Sequence, residues 1–488
     1  MKAWHACQPP VRDALSSGRI IRNHFLKIVA CILWGWSSPL LYPATDEIAG
    51  GETNLVGTTE GILSHRFQKH SWITPDGRFH VMINTGPTED ALHLSSSSDG
   101  FAWDLQSAIP DTDRSSHPDG TLAGNRLYIA YPTRTKQVAL SVYDYQPGEN
   151  SWVFVERIAI PGDRRTSYER PSVARDTLGR IWISAIGVKG NVKTICLYVI
   201  ESANTPRRVN RRFGLSNRYH QRSARLLQFR GGVMMVFSDD PAKNNQEYTL
   251  NFTQRLDTQP LGAAWTPAKQ ILHYHDEPDD NGAHFSCAVD SLGAVHIVTR
   301  SNRTMYYLKL ANGDLAASTP RDLKLVGPRQ YPQAAVSESG TVHLFCPVEQ
   351  NGREIVHVLS SSDGGESFQN DYDLIFRPDE HLGDRRLEAP SNFSETLPVL
   401  MLYEQYRLAG FIFDPSSKDG LPQQSVELSA HSVGRRRSPP LQRSLWPPGR
   451  PKLQPSRRRH ECASLFRHLQ SFSPEKSHAG KKVAKFTA

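Results

Sequence analysis

One unit recurs seven times between residues 70 and 403: a polar residue, a short apolar run, a tight turn, then an alternating strand. It reads HSWITPDGRFHVMI from His70, SHPDGTLAGNRLYIAY from Ser116 and RPSVARDTLGRIWISA from Arg170. It continues as RSARLLQFRGGVMMVF from Arg222, HFSCAVDSLGAVHIVT from His284, YPQAAVSESGTVHLFC from Tyr331 and EAPSNFSETLPVLMLY from Glu388. Copies start about 45 to 60 residues apart, the length of one four-stranded blade. A lone blade cannot bury both faces. Blades stacked around an axis can, and closing the ring leaves few exposed strand edges. The expected fold is therefore an all-β propeller of four-stranded antiparallel sheets with seven blades, six being the alternative. A strand over 54–63 is expected to pair with the last blade and close the circle.

Two turns carry a further signature. Ser361-Ser362-Asp363-Gly364-Gly365-Glu366-Ser367-Phe368 fits the pattern S-x-D-x-G-x-x-[FW], and Ser97-Ser98-Asp99-Gly100-Phe101-Ala102-Trp103 is a copy one residue shorter. Over about residues 54–414 the chain resembles the sialidase-like (BNR, or Asp-box) propellers. The resemblance implies that each box is a turn between a blade's third and fourth strands. Its Asp would tie the turn's backbone, its Gly would supply φ > 0, and its aromatic ring would pack between blades. The box is structural and carries no chemistry.

The rest of the chain differs from this body. The formal charge of +8 divides into +12 for residues 430–488, with 14 Lys and Arg against 2 Glu, and −4 for everything before. A near-neutral body is not a nucleic-acid-binding surface, and the tail over 415–488, rich in Ser, Pro, Arg and Lys, reads as disordered. At the other end, Arg19, Arg22 and Lys27 precede an apolar stretch over 28–41. Residues 1–45 read as an export signal, with an uncleaved membrane anchor as the alternative. The protein is then secreted or periplasmic, and it meets a membrane only if that segment is retained. Six cysteines show no CxxC pair, and Cys287 and Cys346 sit in apolar runs that suit buried thiols. A disulfide among Cys196, Cys287 and Cys346 is the alternative. Oligomeric state is not legible.

In a propeller the first strand of each blade lines the axial channel. Counting nine residues back from the turn glycines Gly179, Gly231, Gly293 and Gly340 gives Arg170, Arg222, His284 and Tyr331. The same offset from Leu397 gives Glu388. His117 lies beside the matching position of the second unit, and a shorter turn brings His70 to a comparable place in the first. Glu169, His220 and Arg386 flank the ring. Arginines clamp carboxylates or sulfates through forked bonds, and His, Tyr and Glu can exchange protons when tuned. The expected partner is an acidic oligo- or polysaccharide, with Arg170, Arg222, His70, His117 and Arg386 binding and His284, Tyr331, Glu388 and His220 carrying the chemistry.

The sialidase resemblance implies a three-arginine clamp and a tyrosine with a glutamate partner, for which Tyr331 and Glu388 are the matching pair. The family's early Arg-Ile-Pro motif is missing, however, and His70 stands in its blade. Lyases on similar propellers suggest β-elimination from a uronate, which two arginines and a His/Tyr pair satisfy. A non-catalytic glycan-binding propeller remains the alternative, and would more often present exposed aromatics such as Trp182. No cofactor is expected. The loop over 273–280 is dense in oxygen and nitrogen ligands, but its spacing fits no known Ca²⁺ loop, so solvated carboxylates are the plain reading and Ca²⁺ the alternative. HExxH, GxSxG and phosphate-loop patterns are absent from the sequence.

Overall fold

The computed structural model describes residues 47–415, apart from 50, 57–66, 85–90, 114–115, 191, 202–205, 210–222, 240–247, 275–283, 302, 312–316, 330, 351–352, 376–385, 395 and 404–406. It is all-β, with seven blades of four antiparallel strands in a ring. The first strands of the blades are Ser71–Ile73, Asp119–Ala123, Ser167–Arg175, Ala224–Phe229, Phe285–Val289, Gln333–Ser337 and Arg386–Glu388. In the first six blades the chain runs outward strand by strand, so each second strand pairs antiparallel with the first across a tight turn.

The seventh blade is composite. Its outermost strand is Gly51–Val56, from the start of the described chain, paired antiparallel with Arg407–Phe413. The closing strand thus lies a few residues earlier than the 54–63 expected from sequence. The sixth blade is wider than the others. Glu47–Ala49 adds parallel to its outer edge, and Asn392–Phe393 adds parallel to its inner strand.

The period-2 alternation of the strands puts apolar side chains on both faces of each sheet, and every one of the seven blade junctions is filled by its own hydrophobic cluster. Among the described residues the seven-to-one junction is the smallest, built around Phe79, Val81, Ile83, Trp103, Leu400 and Leu408. Trp182, expected to mark a binding rim if exposed, is instead fully buried at the three-to-four junction against Trp265. Its indole N–H donates to Asp176 at 2.8 Å.

The two Ser-x-Asp turns over 97–103 and 361–368 sit between the third and fourth strands of blades one and six. Asp99 Oδ1 accepts from the backbone N–H of Phe101 and Ala102, both at 2.8 Å. Asp363 Oδ1 does the same for Glu366 and Ser367 at 2.9 Å. Gly100 and Gly365 have φ of 77° and 95°. A Cβ on either would also strike the adjacent blade, at Ile412 or at the Tyr307 hydroxyl, so glycine is required twice over. Cys196, Cys287 and Cys346 are buried, and no disulfide joins any two of them.

Candidate functional site: a polar rim above a buried girdle

Strand pairing gives a stricter register than the turn glycines do. Asp119 faces Ala130, Ser172 faces Ser184, Ser286 faces Val298, Gln333 faces Phe345 and Glu388 faces Leu400. These residues, with Arg225 and His70, occupy one depth in their blades and are almost completely buried. Buried polar groups must find partners, and here they find them across blade junctions.

Asp119 Oδ2 accepts from the Ser172 hydroxyl and the Val173 N–H, both at 2.8 Å. Its Oδ1 accepts from the Lys69 N–H at 2.7 Å and pairs with the Arg225 guanidinium. Ser172 Oγ accepts from Leu226 N–H at 3.0 Å, and Ser286 Oγ from Ala334 N–H at 3.2 Å. Gln333 Nε2 donates to the Leu387 carbonyl at 3.0 Å. Glu388 Oε1 accepts from the His70 N–H and the Ser71 hydroxyl, both at 3.0 Å, while Oε2 lies 3.1 Å from His70 Nδ1.

Lys69 plugs the middle of this girdle. Its ammonium, on a side chain only 3% exposed, donates to Gln333 Oε1 at 2.7 Å, Ala389 O at 3.2 Å and Ser286 Oγ at 3.3 Å. Burial pushes its pKa down to about 8, against the opposing pull of Glu388. Burial pushes the Glu388 carboxyl upward, but His70 and then Lys69 outweigh it and hold the pKa below the usual carboxylate value. An ionised Glu388 fixes His70 as the Nδ1–H donor. His70 Nε2 has no partner among the described residues.

Two residues upstream of the girdle, each chain reaches the rim of the axis: Gln68, His117, Arg170, Ser223, His284, Tyr331 and Arg386. Gln68 is wedged there by its Nε2, which donates to His117 O at 2.9 Å and Pro171 O at 2.7 Å. His117, Arg170 and Arg386 are half-buried. Burial, then the positive charge of Arg170, His70 and Arg386, pushes the His117 pKa down to about 3, so the ring is neutral at neutral pH. His284 and Tyr331, 9% and 8% exposed, pack ring against ring at 5.0 Å with their planes tilted 55°.

Arg170 and Tyr331 have φ of 51° and 84°, in the left-handed region. Each precedes a proline and neither is Gly, so each conformation costs about 1–3 kcal/mol that the surrounding structure must offset. At Arg170 the first strand of blade three also loses register between Glu169 and Ser172. Strain of this kind at two rim positions re-aims side chains where the chain would otherwise run on as plain strand.

The sequence-derived ring therefore divides. His117, Arg170, His284, Tyr331 and Arg386 form the rim. His70 and Glu388 belong to the girdle one layer deeper, joined to each other, and Glu388 commits both oxygens to blade one. The equal offset from the turn placed Glu388 too high because blade seven's first turn lacks the glycine and carries the extra Asn392–Phe393 bridge. Glu169 bonds Lys193 Nζ at 2.6 Å. His220 and Arg222 lie outside the described residues, as does most of the acidic loop; its first two residues, His273 and Tyr274, are described. Among the described residues no group of His, Cys, Asp or Glu could hold a metal, and no helix is long and apolar enough to cross a membrane.

The girdle residues Lys69, Asp119, Ser172, Arg225, Ser286 and Gln333 were not singled out from sequence. A signal was present: His117-Pro118-Asp119, Arg170-Pro171-Ser172, His284-Phe285-Ser286, Tyr331-Pro332-Gln333 and Arg386-Leu387-Glu388 all read polar, apolar or Pro, polar. The first polar residue of each triplet is rim and the second is girdle.

Among known proteins, no family model and no curated protein matches the chain. Solved structures do. An ulvan lyase from a new polysaccharide lyase family, PL25, superposes with a TM-score of 0.50 at 11% identity, covering 75% of this chain and 95% of that one. An α-L-arabinanase from Penicillium chrysogenum gives 0.39 at 14% identity, over 76% and 99% of the two chains. The sialidase of Trypanosoma rangeli gives 0.40 at 11% identity, over 64% and 59%. All three are carbohydrate-active enzymes. At these identities the likeness is one of fold.

Proposed function

We propose that this chain cleaves an acidic polysaccharide at the propeller rim by β-elimination. The observation that carries the reading is a neutral imidazole, His117, lying within electrostatic reach of two guanidiniums, Arg170 and Arg386, on the same rim. Arg170 and Arg386 clamp a uronate carboxylate by charge-assisted bonds, which acidifies the adjacent C5–H. His117 takes that proton, the electron pair forms the C4=C5 double bond, and the C4–O bond breaks. Tyr331, braced by His284, gives its proton to the leaving oxygen. A bound carboxylate also cancels part of the positive charge that depresses His117, so substrate raises the basicity of its own base. Glu388 acts through His70 as a positioning residue. The likeness in fold to an ulvan lyase is compatible with elimination, and the preference over hydrolysis rests on the rim chemistry.

The test is to present the full chain with glucuronate-, iduronate- and sialate-bearing glycans, following both unsaturated ends by absorbance and new reducing ends. Elimination predicts unsaturated product that disappears in Arg170→Ala. Reducing ends without unsaturation would instead establish hydrolysis. A second reading, glycan binding without turnover, is favoured by the near closure of His284 and Tyr331, and binding without either product would establish it. The same reading takes residues 1–45 as an export segment, 54–414 as the active body and 415–488 as a basic tail.

A further inference from the structure

On the far side of the girdle from the rim, toward the turns that join first and second strands, the axis opens again. A cavity of about 570 Å³ lies at this turn end, walled by the first strands and turns of blades one to five and by residues 390–392 of blade seven. That volume is of ligand size. Its base is the girdle itself, through Lys69 and Arg225. The next layer, two residues further along the chain in each blade, is Trp72, Thr121, Ala174, Leu227, Ala288 and Pro390, and all but Thr121 are apolar. Exposed polar residues, Gln228, Arg230 and Ser291 among them, stand at the mouth. From Arg225 to Phe229 is four residues of strand, about 13 Å, so the cavity is a shaft with a cationic floor, an apolar middle and a wet opening.

The floor is rich in donors and poor in acceptors. Arg225, on a residue 6% exposed, gives Nη1 to Asp119, and its Nε is enclosed without a partner. Nη2 is the nitrogen with hydrogens left to offer, and it has no acceptor among the described residues. Asp119 answers only part of this charge, because its oxygens also serve the Ser172 hydroxyl and the N–H groups of Lys69 and Val173. The Lys69 ammonium turns to three neutral acceptors, on Gln333, Ala389 and Ser286, and lies close enough to Arg225 for the two charges to repel. Among the described lining residues the carboxylate is Asp290, and it is spent on its own turn. It accepts from the N–H of Leu292 at 3.0 Å and of Ala294 at 2.8 Å, and its Oδ2 lies 3.1 Å from His296 Nε2. An oxyanion on the floor takes charge-assisted bonds and relieves the repulsion there. Whatever is attached to it must then cross the apolar layer, where unpaired hydroxyls are costly to bury.

We propose that this axial cavity binds a small amphipathic carboxylate, an acid with a short apolar chain. Its head group accepts from Arg225 Nη2 and its chain runs along the apolar layer toward the mouth. The girdle separates this site from the rim, so the assignment stands whether or not the rim cleaves a glycan.

The experiment titrates the full chain with hexanoate and octanoate, and with hexanamide and octanamide as their uncharged counterparts, reading binding by calorimetry and by saturation-transfer NMR. At least one acid should bind and raise the melting temperature, and its amide should bind at least tenfold more weakly. Arg225→Lys, which keeps a charge for Asp119 but removes Nη2, should weaken the acid at least tenfold. Thr121→Trp, at a half-buried position on the wall and away from the ion pair, should do the same by filling the shaft. Arg170→Ala should leave binding unaltered. Silence with both acids overturns the proposal. So does an amide that binds as well as its acid, binding that survives Thr121→Trp, or binding lost in Arg170→Ala, which would place the carboxylate at the rim.

Discussion

The two ends of the propeller axis use the same residue type for opposite purposes. At the turn end, His296 spends both ring nitrogens inside its own blade, on Asp290 and Tyr307, while His80 meets Thr74 and Ser96 of its own blade and also accepts from the Trp152 indole N–H of the next blade at 3.1 Å. At the rim end, His70 and Glu388 bridge 318 residues, and His284 meets Tyr331 of the next blade. Both sets are buried, so burial does not separate a structural histidine from a functional candidate. Partner distance along the chain separates His296 from His70, with His80 between the two. A histidine satisfied locally holds its own blade; one satisfied by another blade holds the ring, or what the ring surrounds.

The largest effect expected from breaking this contrast is on chemistry. Tyr331→Phe should lower the rate of unsaturated-product formation by about 10²–10⁴-fold, the usual range for removing a proton donor. The thermal melt should stay within a few degrees, because only the hydroxyl is lost. Steady-state kinetics on a uronate polymer check it, and an unchanged rate would return the rim to a binding role.

Next in size are losses of stability at unchanged chemistry. Trp182→Ala should cost about 3–5 kcal/mol through the cavity it leaves. Asp119→Ala should cost about as much, by leaving the Arg225 guanidinium buried without its counter-charge. Denaturant unfolding measures both. For Trp182→Ala, turnover per folded molecule should be unaffected, whereas Asp119, under the rim, should change both.

Acid should then act on both ends together. His80 and His117 are held at about 3 and His343 at about 4, all below the usual histidine value of 6.5. Between pH 6.5 and about 3 the unfolded chain therefore binds more protons than the native one, so stability falls as pH falls through that window and is unaffected by these groups above it. Glu388, held below 4.5, adds to the loss at the acid end. His80→Gln should make the decline shallower in unfolding midpoints measured from pH 7 to pH 4. The smallest effect belongs to the turn tips: Leu178→Ser, at a residue 64% exposed, should shift stability by no more than about 0.5 kcal/mol.

The sequence carried the ring and its seven-fold count because each blade repeats one local rule, a tight turn between two alternating strands, and local rules survive in a linear text. It carried five rim residues for the same reason. What it concealed was depth. A β-strand turns over every residue and descends one layer every two, so an offset counted from a turn is only as good as the turn's length. In blade seven the inserted Asn392–Phe393 bridge made Glu388 look like a rim residue, and in blade one the matching arithmetic lifted His70 by a layer. Counting back from the apolar residue that each second strand sends into the core, such as Val298 or Leu400, keeps the layers apart. The girdle stayed hidden because its bonds run between residues as far apart as Lys69 and Ala389, and no local pattern announces a partner 320 positions away.

The seam between the last blade and the strand Gly51–Val56 sets a clock for the whole molecule. Among the described residues that strand meets its neighbour at three residue pairs, beside the smallest of the seven inter-blade clusters. A closed ring exposes no terminal blade from which to peel, so dismantling must begin where the hoop is fastened. How long a folded copy lasts is then governed by the fastening, and how much of it is folded at balance by the summed cores. A tighter fastening would lengthen the protein's working life under heat or attack by proteases in far greater proportion than it would raise the free energy of folding.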